Sequence, residues 1–277
     1  MFQSENLEIL EQRLVNHLRR YPHSSDQLLE TALYTVEARG RRLRPLLCLI
    51  VFEQLAQTQI PDEVYAVACS VEYLHTASLI LDDLPEMDDA TLRRGRKCCH
   101  LQFSPARATL AAFFLCDVAQ HLVDKVTSES GMSGTTNLQD RFRFVKGRMM
   151  RGQILDLENK ELSSRALVKK CALKSGALYG LAASVPAYML GLTSEAKQLD
   201  KLGRYLGIVH QISDDVLDRN EVNKGTEKNT LVRLLGVEAA LELRRRFKEK
   251  AKASFTGATH SAAISELIDQ VSQLDHV

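Results

Sequence analysis

Residues 72–100 read EYLHTASLILDDLPEMDDATLRRGRKCCH. The apolar run from Ala66 through Leu81 has helical character, and Asp82, Asp83, Glu86, Asp88 and Asp89 then fall within eight residues with no base among them. Arg93, Arg94, Arg96 and Lys97 follow directly. Carboxylates crowded at the end of an apolar helix repel one another unless water or a bound cation neutralises them. Oxygen-only donors suit Mg²⁺, which binds through one or two carboxylates, several waters and phosphate oxygens. The adjoining arginines carry forked donors that match phosphate. A lone Asp pair would read as a solvated helix end; an Asp-rich run joined to a basic one reads as a Mg²⁺-diphosphate site.

A second cluster supports that reading. Residues 210–218 read HQISDDVLD, with Asp214 and Asp218 one turn apart on one helical face and Gln211 one turn earlier. The loop after it carries Lys224 and Lys228. Two Asp-rich helix ends, each with its own bases, are hard to explain as solvated surface. Facing each other across a bundle, their carboxylates could hold a small Mg²⁺ cluster around one diphosphate.

Three other stretches carry charge in unusual places. In Arg39-Gly40-Arg41-Arg42-Leu43-Arg44-Pro45, Gly40 suits a helix C-cap and Pro45 the first turn of the next helix. Arginines at a helix start make either a second diphosphate pocket or an exposed basic turn. His75 lies seven residues before Asp82, two turns back on roughly the same face, in a helix where a lone His would otherwise be a core residue. Lys174-Ser175-Gly176 interrupts an apolar helical pattern, which predicts either a kink facing a ligand or tight helix packing. Gln153 and Asp156, spaced i, i+3, share one face.

The remainder is helical by period. Helices are expected at 5–18, 27–38, 46–57, 62–81, 109–126, 138–160, 163–192, 196–217, 231–253 and 261–274, with a flexible loop at 127–137 and no strand. No linker divides the 277 residues, so the expected fold is a single all-α domain over 1–277. The 36 basic and 35 acidic residues nearly cancel, which removes the global field expected of a nucleic-acid binder. No apolar run reaches the roughly 20 residues of a transmembrane helix. Six scattered cysteines without CxxC spacing, and no signal pattern, predict reduced thiols in the cytoplasm; adjacent Cys98 and Cys99 cannot close a zinc site alone.

From about Arg39 to Thr230 the chain resembles the trans-isoprenyl diphosphate synthases. The family's GGKRLRP stands as RGRRLRP, its first aspartate-rich motif as DDLPEMD, then LRRG, GQILDL, KSGAL for KTGAL, and DDVLD as the second aspartate-rich motif. The resemblance implies an all-α bundle of the isoprenoid synthase type with a central Mg²⁺-diphosphate cavity. It implies head-to-tail condensation of isopentenyl diphosphate with an allylic diphosphate by a homodimer carrying three Mg²⁺ per active site. Metal ligands would be Asp82, Asp88 and Asp214, with Asp83 and Asp218 helping. Arg93, Lys174, Lys224 and Lys228 would neutralise the leaving diphosphate, and Ser175 and Gln211 would face the allylic cation. Isopentenyl diphosphate would sit on Arg41, Arg44, His75 and Arg94.

The chain departs from the family at Ser104-Pro105, where Gly-Glu is usual, and at Ala112-Phe113, where Gly-Asp is usual. Phe113 is expected to add bulk to a central helix and reshape the elongation pocket, or to mark weak activity. Small Ala77 and Ser78 beneath the first Asp motif predict a product longer than farnesyl, with geranylgeranyl diphosphate first. The alternatives are a non-catalytic partner subunit, a farnesyl diphosphate synthase and a class I terpene cyclase; retention of the isopentenyl-pocket bases argues against the last.

Overall fold

The computed structural model describes residues 2–22, 25–38, 40–131, 133–135, 137–158, 162–217, 229–255 and 262–272. They form an all-α structure, as the period predicts, with one two-residue hairpin. By contact the chain divides into two compact units, residues 1–49 with 59–139 and residues 50–58 with 140–277.

In the first unit, α1 (Phe2–Arg19) and α2 (Asp26–Val36) pack with α4 (Asp62–Asp82) and α6 (Pro105–Glu129), while α5 (Cys99–Gln102) rests on α6. Ser25 caps α2, accepting from the Leu28 N–H, and Ser104 caps α6, accepting from the Arg107 N–H. Pro105 sits in the first turn of α6, where its missing N–H leaves no bond unmade. The Ser104-Pro105 departure is thus a helix start. Leu10, Leu14, Leu18, Val67, Val71, Leu115 and Val118 are fully buried, and the Tyr73 hydroxyl reaches the Leu14 carbonyl at 2.6 Å. By length and composition α4 could cross a membrane, contrary to the expectation that no run is long enough; it is instead wrapped by protein, buried from Val64 through Leu74.

The second unit is centred on α10 (Thr193–Leu217), which packs on α8 (Ser164–Lys174), α9 (Gly176–Met189) and α12 (Val237–Ala253). A Cβ on Gly207 would lie 2.4 Å from the Gly176 Cα, so α9 and α10 touch backbone to backbone. Leu167, Ile208, Val209, Ile212, Leu231 and Phe247 form its apolar core. All six cysteines are free thiols.

Four expectations are corrected. The single helix over 163–192 is two, broken at Ser175, and the helix over 231–253 is two, α11 (Leu231–Leu235) and α12, parted by Gly236 at φ 80°. Both breaks lie where the sequence places a small residue inside an apolar period. Helix α6 runs on to Glu129, into the expected loop. A hairpin of β1 (Leu92–Arg93) and β2 (Arg96–Lys97) stands where no strand was predicted, because two-residue strands leave no alternation to read.

Candidate active site

Helix α4 ends on the Asp83 N–H, which donates to the Leu79 carbonyl at 3.0 Å. The chain then folds back on itself. Met87 and Asp89 donate to the Leu84 carbonyl at 2.9 and 3.0 Å, and Asp88 donates to the Asp82 carbonyl at 2.9 Å. The turn brings Asp88 back beside Asp82, both partly buried.

Asp83 has another duty. It is 3% exposed and accepts from Arg93 Nε at 3.0 Å and Arg93 Nη2 at 2.5 Å. Burial works to lower the Arg93 pKa, but the Asp83 bonds and charge leave it raised. Asp83 therefore positions Arg93, and Asp82 and Asp88 are the members of the motif's DD and D positions that the main-chain turn brings together. Among the described residues no three His, Cys, Asp or Glu side chains gather into a metal cage. Aspartates of this motif, with no thiolate or imidazole among them, fit Mg²⁺, which completes its shell with water and substrate phosphate.

The hairpin sorts the arginines. Arg94 and Gly95, at φ 53° and 74°, both occupy the left-handed region that a two-residue I′ turn requires. Consecutive arginines consequently diverge: Arg93 goes to Asp83, Arg94 to Glu72 at 3.5 Å, and Arg96 to the Tyr34 carbonyl at 3.1 Å. Gly40 makes room for Arg94, since a Cβ there would lie 2.7 Å from the guanidinium carbon.

Glu72, 1% exposed, bridges Arg94 and the buried Arg42, whose Nη1 donates to it at 2.6 Å. Arg42 also donates to Glu11 at 2.8 Å and to the Val36 and Ala38 carbonyls. Burial opposes its charge, yet Glu72 and Glu11 hold its pKa above the ordinary value. Arg42 is thus the structural arginine of the basic run. Arg44 Nη1 lies 3.1 Å from His75 Nε2, and because guanidinium only donates, His75 offers a lone pair at that nitrogen. Arg41 is exposed. The structure brings Arg44 to His75 and joins Arg94 to Arg42 through Glu72.

In the second unit, Gly152 lets α7 (Leu138–Leu157) meet α8 at Lys174: a Cβ would lie 2.4 Å from the Lys174 nitrogen. One turn on, Asp156 accepts from Lys174 Nζ at Oδ2 and from Lys170 Nζ at Oδ1, both at 2.7 Å. Burial works to raise the Asp156 pKa, but the two ammonium groups depress it to about 2. At the break between α8 and α9, the Ser175 hydroxyl donates to Gln211 Oε1 at 2.7 Å, and Gln211 Nε2 donates to Asp215 at 3.1 Å. Burial pushes Asp215 up to about 6. Asp214 lies 3.4 Å from His210 Nε2, one turn back. Asp218, Lys224 and Lys228 lie outside the described residues.

Phe113 is 67% exposed. It adds no bulk to the interior of its unit, because its neighbours Ala111, Ala112 and Phe114 take the buried face of α6. Sequence reasoning missed Glu72, Arg42, Asp215 and Lys170 as site-building residues. Their signals were a Glu inside an apolar helix one turn from His75, and a Lys one turn from Lys174.

Residues 25–232 match the sequence profile described as polyprenyl synthetase. The chain is 34% identical over 254 residues to a putative geranylgeranyl pyrophosphate synthase 8 of Arabidopsis thaliana, covering 82% of this chain and 68% of that one. It is 30% identical over 292 residues to a farnesyl diphosphate synthase of Geobacillus stearothermophilus, covering 99% and 97%. A geranyltransferase of Helicobacter pylori, crystallised with magnesium and isoprenyl diphosphate, superposes with a TM-score of 0.80 at 26% identity, covering 97% and 98%. With three quarters of its length in the profile and both aspartate-rich motifs in place, the chain belongs to the polyprenyl synthetase family.

Proposed function

We propose that this protein is a short-chain prenyltransferase that condenses isopentenyl diphosphate head-to-tail with an allylic diphosphate, with geranylgeranyl diphosphate as its product. The observation that carries the reading is the Asp82–Asp88 turn, in which the main chain folds the two ends of the first aspartate-rich motif together while Asp83 holds Arg93.

The family resemblance implies three Mg²⁺ ions, with Asp82 and Asp88 as ligands in the first motif and Asp214 and Asp218 in the second. Bound Mg²⁺ neutralises charge on the leaving diphosphate as a Lewis acid. The same resemblance assigns Arg93, Lys174, Lys224 and Lys228 to the leaving diphosphate, whose negative charge grows as the allylic bond breaks, so that cations attract it most strongly in the transition state. The resemblance assigns Ser175 and Gln211, which are hydrogen-bonded to each other, to the developing cation. Arg41, Arg44, His75 and Arg94 bind isopentenyl diphosphate, whose double bond attacks the cation; the released diphosphate takes the final proton.

The small side chain of Ala77, five residues before Asp82, supports a product longer than farnesyl. A homodimer is supported by exposed apolar side chains on two helices, Leu110 and Phe113 on α6, and Phe144, Met150 and Ile154 on α7. Free thiols support a reducing compartment, the cytoplasm in this reading. The test is incubation with Mg²⁺, labelled isopentenyl diphosphate and each of the C5, C10 and C15 allylic diphosphates. A chelator-sensitive C20 product is expected; no elongation from any primer by folded protein overturns the reading in favour of a non-catalytic subunit.

A further inference from the structure

The second aspartate-rich stretch opens on a group that the roles above leave unused. His210 Nε2 lies 3.4 Å from Asp214 Oδ2, one turn apart on α10, with 14% of the His210 side chain and 39% of the Asp214 side chain exposed. The imidazole meets the fully buried Tyr179 ring edge to face, with centroids 5.5 Å apart, which seats it against α9. Side chains at i, i+4 stand side by side, the spacing that lets one helix offer two donors to a single cation.

The separation and the donor type both bear on which cation. Two donors about 2.1 Å from one ion lie about 3.4 Å apart at a tetrahedral angle and about 3.0 Å apart at an octahedral one. The pair shows the wider value. Imidazole nitrogen suits first-row transition ions, whereas Mg²⁺ keeps to oxygen. Asp215 receives Gln211 Nε2 at 3.1 Å, so Asp214 is the carboxylate that stands with the imidazole. Among the described residues no third His, Cys, Asp or Glu joins them, so water and diphosphate oxygens would complete the shell.

We propose that His210 is a metal ligand beside Asp214, and that this position prefers a transition cation such as Co²⁺ or Zn²⁺ to Mg²⁺. Binding exchanges the His210–Asp214 contact, and any other bond these groups make, for bonds to the cation. The proposal rests on the assignment of Asp214 to a metal.

The experiment titrates Co²⁺ or Mg²⁺, with inorganic diphosphate present, into wild type, His210→Phe and Asp214→Ala by calorimetry, each variant checked for folding by circular dichroism. His210→Phe should weaken Co²⁺ binding at least about 10-fold and leave Mg²⁺ binding within about threefold of wild type. Proton NMR of cobalt-loaded wild type should show a paramagnetically shifted imidazole N–H that is missing from His210→Phe. Equal effects on the two cations, or no effect on either, overturn the proposal. So does the absence of that resonance from cobalt-loaded wild type, a result that stands even if His210→Phe folds poorly. If Asp214→Ala binds both cations as wild type does, the assignment of Asp214 falls and the proposal with it. If Asp214→Ala weakens both while His210→Phe weakens neither, the role of His210 alone falls.

Discussion

The backbone N–H of Asp88 donates to the carbonyl of Asp82 at 2.9 Å, closing the DDLPEMD segment into a turn. The bond brings together two aspartates six residues apart, and it does so with main-chain atoms, so either side chain can change without undoing the turn. Asp88→Ala should therefore lower Mg²⁺-dependent turnover on the order of 10²- to 10³-fold while leaving the melting temperature unchanged or raised, since a like charge is removed. Turnover within threefold of wild type would place the first metal site elsewhere.

Glu72 is the counter-charge of two arginines in the interior, Arg42 and Arg94. Replacing it with Gln leaves Arg94 without its carboxylate and Arg42 with Glu11 alone, and removing one partner of a buried pair costs about 3–5 kcal/mol. Urea denaturation of Glu72→Gln should show a loss of that order, and a change under about 1 kcal/mol would mean that Glu11 suffices for Arg42.

Asp156 supplies a pH-dependent part of the stability. Its pKa is depressed from 3.8 to about 2, so its contribution is complete above about pH 4 and is lost as the pH falls through about 2. A depression of this size corresponds to about 2 kcal/mol. Asp156→Asn should be less stable than wild type at pH 7, with the gap narrowing below pH 4. A gap that stays constant from pH 7 to pH 3 argues that the two lysines do not hold the carboxylate charged.

Ala77 is buried five residues before Asp82, and the neighbouring Ser78 hydroxyl donates to the His75 carbonyl at 2.8 Å. Ala77→Tyr should shift the product from C20 to C15, read by chromatography of the hydrolysed alcohols. An unchanged chain length would put the floor of the pocket elsewhere.

Phe113 is exposed in the single chain, so Phe113→Asp should change the stability of the unit by only about 0.5 kcal/mol. In sedimentation velocity the variant should shift toward monomer. A dimer of undiminished affinity would assign the interface to another face.

Local chemistry in the sequence determined the helices and pointed to the candidate reacting groups. Apolar residues at a 3.6 period can only be buried by helices packed together, and the Asp and Arg runs around DDLPEMD and RRGRK announce metal and phosphate whatever the fold. The division of labour among chemically equal side chains was settled only by tertiary structure. Arg42 and Arg44 stand two residues apart in the same basic run, yet one is the buried partner of Glu72 and the other meets His75. Asp82 and Asp83 are adjacent, yet one stands beside Asp88 and the other holds Arg93. Such assignments depend on which groups packing removes from water and on the partner within about 3 Å once it has, and both are set by segments distant in the chain, such as the I′ turn at Arg94-Gly95 and the approach of α7 to α8 at Gly152.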